Sequence, residues 1–266
     1  MTVIGAPLVD PGLLSRALEV GGRLANDAAE VIAATADRGC RGDANGRSSP
    51  FDWVTDTGRT LERHTRRVLA AEFPDIPVVG PEYHDVPEVG RYRWMVAPLD
   101  GIANYLSGLP WFAYGLALVD AGGPVLGVIS DPSRAEIYAA ARGRGSRVNG
   151  IPVRVTPNSR RARFPVCIEP GTDPWPAQLV SRAGSSGRAI RVLGSPTLAI
   201  TQVALGHADA AVLYGYREWD VAAALAVAAE AGAVILNRDG EPDPLPCDGM
   251  LVAAGSAAQE ALSWWR

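Results

Sequence analysis

The sequence reads as a layered α/β protein, on three observations. A stretch near the start carries apolar residues at helical spacing, strand patterns accumulate from Tyr92 onward, and helical patterns follow in the second half. Each such element has an apolar face to cover, and strands and helices in succession cover those faces by stacking in layers. With 266 residues, 47% of them apolar, the chain can bury a full core.

Taken in order, Leu8 to Thr35 spaces Leu13, Ala17, Val20, Leu24, Ala28 and Val31 one turn apart, flanked by Leu14, Leu18 and Ile32. This predicts one or two amphipathic helices, with Gly12, Gly21 and Gly22 weakening the pattern. Arg41 to Ser49 lacks a large apolar residue and reads as a mobile surface loop. Thr55 to Phe73 predicts a helix whose exposed face carries Arg59, Arg63, Arg66 and Arg67, a charge run read as a solvated face. Strands are expected at Arg93 to Ala97, Trp111 to Val119, Pro124 to Asp131, Glu136 to Ala140, Arg163 to Ile168 and Ala189 to Leu193. Helices follow at Ser195 to Leu205 and Asp220 to Ala231, then a strand at Met250 to Ala254 and a closing helix at Ala257 to Trp264.

The formal net charge of -4 argues against a nucleic-acid or anionic-membrane partner, which leaves small molecules or further copies of the chain. No run approaches the roughly 18 apolar residues of a membrane span, and the N-terminus has no basic region followed by an apolar run, so the cytoplasm is the expected location. The cysteines Cys40, Cys167 and Cys247 have no metal-binding spacing and read as buried free thiols.

Residues Trp94 to Tyr105, WMVAPLDGIANY, resemble a signature of the inositol monophosphatase family: aromatic-apolar-apolar-Asp-Pro-apolar-Asp-Gly-Thr-x-Asn-aromatic. Ala97 stands at the first Asp and Ile102 at the Thr. Further segments are similar to family landmarks in the same order. SSPFDWVTDTG (Ser48 to Gly58) has Gly58 where an Asp is expected, and VVGPEYHD (Val78 to Asp85) has Pro81 for the first Glu of a Gly-Glu-Glu turn and keeps the second as Glu82. GRGSRVNGIPVRVT (Gly143 to Thr156), RVLGSPTLAITQVALGHADAAV (Arg191 to Val212) and EWDVAAALAVAAEAGAVI (Glu218 to Ile235) complete the set, the last with Asp220 intact.

The resemblance implies a five-layer αβαβα sandwich of the inositol monophosphatase and fructose-1,6-bisphosphatase type. It implies one unit over residues 1–266, approximately 1–155 as an α+β half with the metal-site motifs and 156–266 as an α/β half. It also implies a homodimer, for which the apolar run Trp111 to Val119 is a candidate surface. Family members hydrolyse phosphate monoesters with two or three Mg2+ ions, which need carboxylate or carbonyl oxygens in near-octahedral array. Mapped residue by residue, only Asp100, Asp220 and the Leu99 carbonyl survive, while Gly58, Pro81 and Ala97 offer no side-chain oxygen. The resemblance therefore implies no multi-metal cofactor, with Asp100 and Asp220 as residual candidates for a single weak Mg2+. Ile102 lacks the hydroxyl that orients the attacking water.

What survives has the material for acid–base work. Glu82, Asp100, Asp220 and His84 are the candidate acids and bases, His84 as the histidine nearest the expected cleft. Each has a plainer reading: Asp220 as a helix N-cap, Asp100-Gly101 as a turn, Glu82 and His84 as solvated loop residues. Gly101 and Ile102, and likewise Gly194 and Ser195, open helices whose amides can face a phosphate or carboxylate. Tyr83 and Tyr216 stand beside motif residues as candidate ligand contacts, whereas Trp53, Tyr105, Trp111 and Trp219 read as packing. Three functions compete. The favoured one is an enzyme that reuses the pocket without metal for a cyclisation, isomerisation or elimination on a small biosynthetic metabolite. The others are a weak Mg2+-dependent phosphomonoesterase and an inactive protein that binds a metabolite or partner.

Overall fold

The computed structural model describes residues 9–39, 45–46, 53–83, 90–155, 165–169 and 177–265. Helix α1 (Pro11–Gly39) is followed by a two-stranded ribbon, β1 (Asn45–Gly46) with β2 (Trp53–Val54), and by α2 (Asp56–Glu72). A first sheet takes β3 (Val78–Val79), β4 (Arg93–Asp100), β5 (Ala113–Asp120), β6 (Gly123–Asp131), β7 (Glu136–Ala141), β8 (Gly145–Val148) and β9 (Ile151–Val153), seven strands in sequence order. The short helix α3 (Ile102–Ser107) joins β4 to β5. A second sheet follows, built from β10 (Val166–Glu169), β11 (Ile190–Arg191), β12 (Ala210–Leu213), β13 (Val234–Asn237) and β14 (Met250–Ala253), with α4 (Ala177–Ser185), α5 (Pro196–Ala204), α6 (Glu218–Ala231) and α7 (Ala258–Trp265) between and after the strands. Its order is β11-β10-β12-β14-β13.

Three apolar clusters define the layers. Leu14, Ala17, Val20, Leu24, Ala28 and Ile32 of α1, with Leu61 and Leu69 of α2, pack on one face of the large sheet against Trp94, Val96, Leu116 and Val128. The other face of that sheet, through Met95, Ala117 and Ile129, meets α5 and α6, which in turn meet the small sheet. Beyond the small sheet, Leu179 and Ala183 of α4 and Ala261 and Trp264 of α7 close the fifth layer. The αβαβα architecture is thus observed, and the start of the chain forms one helix despite its glycines. Gly21 lies against Val128 at a point where an added Cβ would approach to 3.0 Å.

The middle layer explains a pattern that amphipathicity misses. Every residue from Val221 to Ala228 of α6 is buried, because a helix between two sheets has no wet face. This buried stretch is mostly alanine because it runs tight on the large sheet. A Cβ at Gly127 would stand 2.2 Å from the Ala223 carbonyl oxygen, so the strand beneath needs glycine there.

The small sheet was the less legible half: α4, β12 and β13 lie outside the predicted elements. The expected shared surface also changes. All of β5 is buried, as a central strand between β4 and β6, so the run from Trp111 to Val119 is mostly core and offers no face to a second copy. Among the described residues no helix is long and apolar enough to cross a membrane. Cys167 is a buried free thiol, Cys247 is exposed rather than buried, and Cys40 lies outside the described residues.

Candidate active site

Asp100 ends β4, where the ladder to β5 shifts register between Ala97 and Asp100. The chain then turns through Gly101 at φ +77°, where a Cβ would stand 2.4 Å from the Trp111 carbonyl oxygen. Only glycine fits both the backbone angle and the contact. Asp100 is 7% exposed. Its Oδ2 accepts the Ser195 hydroxyl at 2.5 Å and the Thr197 amide at 2.9 Å. Ser195 is itself the N-cap of α5, accepting the Leu198 amide at 3.2 Å, with Pro196 in the first turn.

Asp220 approaches from α6. It is not the N-cap, as the sequence suggested; Arg217 is, and Asp220 sits in the first turn with its Oδ2 accepting the Arg217 amide at 2.9 Å. Its backbone carbonyl accepts the Thr197 hydroxyl at 2.7 Å, which ties the start of α6 to the start of α5. Burial pushes the Asp100 carboxyl up to about 6, against the Ser195 and Thr197 donors that lower it. Burial, and then the nearby Asp100 charge, pushes Asp220 up to about 7. The two expected acids are therefore brought together, and each is harder to ionise than in water.

A third carboxyl was missed. Glu169, the last residue of β10, is 4% exposed and accepts the Leu193 amide at 2.7 Å and the Gly194 amide at 3.0 Å. Burial and then Asp100 push it up to about 7. In sequence it is one acidic residue after three apolar ones, which is how a strand commonly emerges into solvent.

The positions that the family resemblance associates with metal also converge. Gly58, in the first turn of α2, faces Leu99: an added Cβ would lie 4.0 Å from the Leu99 Cβ. Gly80 lies beside Val96, where an added Cβ would approach to 2.8 Å, and so brings the Pro81-Glu82 turn to the same strand. The scaffold is in place and the oxygens are not. Gly58 has no side chain, Ala97 is a buried methyl and Pro81 carries no oxygen. Of the two carboxylates left, each has an oxygen engaged by protein donors. This donor set does not fit two or three Mg2+ ions. Among the described residues no group of three or more His, Cys, Asp or Glu is arranged to hold a metal.

The remaining candidates are placed as follows. Glu82 turns toward α2, with its amide on Glu62 Oε2 at 3.1 Å and its carboxylate 4.0 Å from Arg59. Tyr83 is 57% exposed beneath the Arg66 guanidinium, 4.8 Å from its ring centroid. Tyr216 donates to the Pro246 carbonyl at 2.7 Å. Ile102 packs its side chain against the apolar cluster between the large sheet and the outer helices. His84 lies outside the described residues. At Gly194 and Ser195 the helix start meets internal carboxylates: Glu169 takes the Gly194 amide and Asp100 takes those of Thr197 and the Ser195 hydroxyl. Two hollows of about 600 Å³ each lie in the α1–α2 groove, on the far side of the large sheet from Ser195 and Thr197.

The five-layer sandwich places the chain in a known architecture, shared with solved structures of the inositol monophosphatase type. A sequence model of the inositol monophosphatase family matches residues 14–263, and the chain belongs to that family. A Xylella fastidiosa protein named Nus factor SuhB is 33% identical over 205 residues, 74% of this chain and 74% of its own. An inositol-1-monophosphatase of Rhizobium meliloti is 33% identical over 221 residues, 80% of this chain and 82% of its own. The crystal structure of the extragenic suppressor protein suhB from Bartonella henselae shares the fold with a TM-score of 0.86, at 24% identity over 94% of this chain and 98% of that one.

Proposed function

We propose that this member of the inositol monophosphatase family has lost the multi-metal phosphatase centre and works as a metal-independent acid–base enzyme on a small biosynthetic metabolite, by cyclisation, isomerisation or elimination. The observation that carries this reading is the pair of aspartates, Asp100 buried and raised to about 6 by burial, and Asp220 half-buried at the start of α6 and raised to about 7 by burial and then by the nearby Asp100 charge. Carboxyls poised near neutral pH both donate and accept protons at useful rates. Asp220, the more strongly raised, is assigned the proton donor. Asp100, held by Ser195 and Thr197, is assigned the fixed base, and Glu82 with His84 the outer candidates. Metabolite binding on the same scaffold, as a homodimer, belongs to the same proposal.

The test compares wild type with Asp100→Asn, Asp220→Asn and Glu82→Gln on intermediates of the pathway encoded by neighbouring genes, with chelator and with Mg2+. Turnover that survives chelator and collapses in an aspartate variant supports the reading. Robust Mg2+-dependent phosphate release from inositol or sugar phosphates, abolished by Asp100→Asn, overturns it in favour of a one-metal phosphomonoesterase. Tight binding of an intermediate without turnover of any of them overturns it in favour of an inactive binding protein.

A further inference from the structure

The turn before α5 is held from both sides. Gly194 has φ +70°, and an added Cβ would stand 2.9 Å from the Asn104 side-chain nitrogen, so glycine is required. Asn104 donates to the Leu193 carbonyl at 2.7 Å and to the Trp111 carbonyl at 2.8 Å. On the amide side, the two oxygens of Glu169 take one backbone donor each, Oε1 from Leu193 and Oε2 from Gly194. Two adjacent amides presented to one group form a cradle shaped for a carboxylate or phosphate. Here a side chain of the protein itself lies in it, 4% exposed. The next residue, Ser195, delivers its hydroxyl to Asp100.

We propose that Glu169 is a positioning residue of the site: an internal carboxylate fills the anion cradle of the Leu193–Gly194 turn and thereby sets the Ser195 hydroxyl on Asp100. The inference rests on the proposed function only in treating Asp100 as a working group. It has a consequence for the ligand, because an anion arriving at this turn finds both amides already taken. Recognition of a phosphate or carboxylate there is blocked from inside.

Chemical rescue tests it. In Glu169→Ala the cradle is vacated and two buried amides lose their acceptor, so the melting midpoint falls by about 5 °C. Added formate then refills the cradle, recovers the midpoint and moves the Leu193 and Gly194 amide resonances toward their wild-type positions. A crystal structure without formate shows the Ser195 hydroxyl off Asp100, and one with formate shows it restored. Wild type, already filled, shows no shift of these amides with formate or inorganic phosphate. Glu169→Gln keeps the shape with one acceptor only, so one of the two amide resonances moves upfield and formate changes nothing. This variant decides the matter if Glu169→Ala fails to fold. Amides of Glu169→Ala that ignore formate, wild-type amides that titrate with phosphate, or a Glu169→Gln spectrum unchanged at both amides overturn the proposal. None of these readouts uses turnover, so they stand or fall apart from the acid–base reading.

Discussion

Buried aspartates stand at both ends of the large sheet, and Asp120 and Asp100 keep opposite company. Asp120, at the far end of β5, is gripped by Arg142 through two 2.9 Å contacts and by the Gly122 amide at 2.8 Å. Burial works against ionisation there, but Arg142 and the amide prevail and hold the carboxyl below its usual range. Asp100, paired with the first residue of β5 at the other end, has a hydroxyl and an amide as partners, and burial prevails. A guanidinium turns a buried carboxylate into a fixed strut, whereas neutral donors leave its proton in play. The same contrast separates the outer face, where Glu62 meets Arg66 and Glu72 meets Arg16 and Arg23, from the middle layer, where Asp100, Glu169 and Asp220 gather around neutral donors.

The largest expected effect is on turnover. Replacing the proposed proton donor, Asp220→Asn, lowers kcat by about 10²- to 10⁴-fold in a steady-state assay. Asp120→Ala leaves kcat within a factor of about 3, a difference too small to signify a chemical role. If both variants lose turnover alike, the two ends of the sheet do not differ in the way described.

Stability reverses that ranking. Asp120→Ala leaves the Arg142 guanidinium with only the Gly123 and Pro124 carbonyls and no counter-charge, and costs about 3 kcal/mol in urea unfolding. Asp220→Asn costs less, since it relieves a like-charge contact and keeps an acceptor for the Arg217 amide.

The pH dependence is a third, smaller effect, and its sign is unusual. Asp100, Asp131, Glu169 and Asp220 all have carboxyls raised in the folded protein, to about 6, 6, 7 and 7, from ordinary values of 3.8 for the aspartates and 4.5 for the glutamate. Between those limits the folded state binds more protons than the unfolded chain, so stability falls as pH rises. Their contribution is fully present below about pH 4 and lost through about pH 7, opposite to the Arg-paired Asp120. Urea midpoints that decline over this window, with a shallower decline in Asp131→Asn, are the expected result. A midpoint rising across it would show that the neutral-donor end does not raise its carboxyls. Asp131 suits this test because it is 1% exposed, burial is the main cause of its shift, and one of its oxygens has no partner among the described residues.

The smallest effect separates scaffold from chemistry on the side where family oxygens are missing. Thr55 caps α2 by accepting the Gly58 amide at 3.0 Å, beside Leu99. Thr55→Ala lowers stability by about 1 kcal/mol and leaves kcat unchanged. A matching loss of kcat would mean that the start of α2 still takes part in the reaction.

Much of the fold was legible because its signals are local. Apolar spacing in α1 and α2, the apolar runs of β4 to β7, the Ser195-Pro196 cap and the Asp100-Gly101 turn each express themselves within a few residues. The second half was harder, since short Ala-rich strands such as β12 look like helix and Val234 to Asn237 continues the apolar run of α6. The site divided along the same line. Asp100 and Asp220 stand out by motif, and Ala97, Gly58, Pro81 and Ile102 are visible as losses without any structure.

By itself, then, the sequence determined family, layer order and which oxygens are absent from the place where β4 ends, because those depend on residue identity at recognisable positions. Only the tertiary structure decided who keeps company with whom. Asp100 and Asp220 are 120 residues apart and approach because α5 and α6 start side by side under the large sheet. Glu169 joins them because a strand of the other sheet ends at the Leu193–Gly194 turn. Burial and neighbouring charge, which set a carboxyl's affinity for its proton, are properties of that packing, and no local pattern in the chain encodes them.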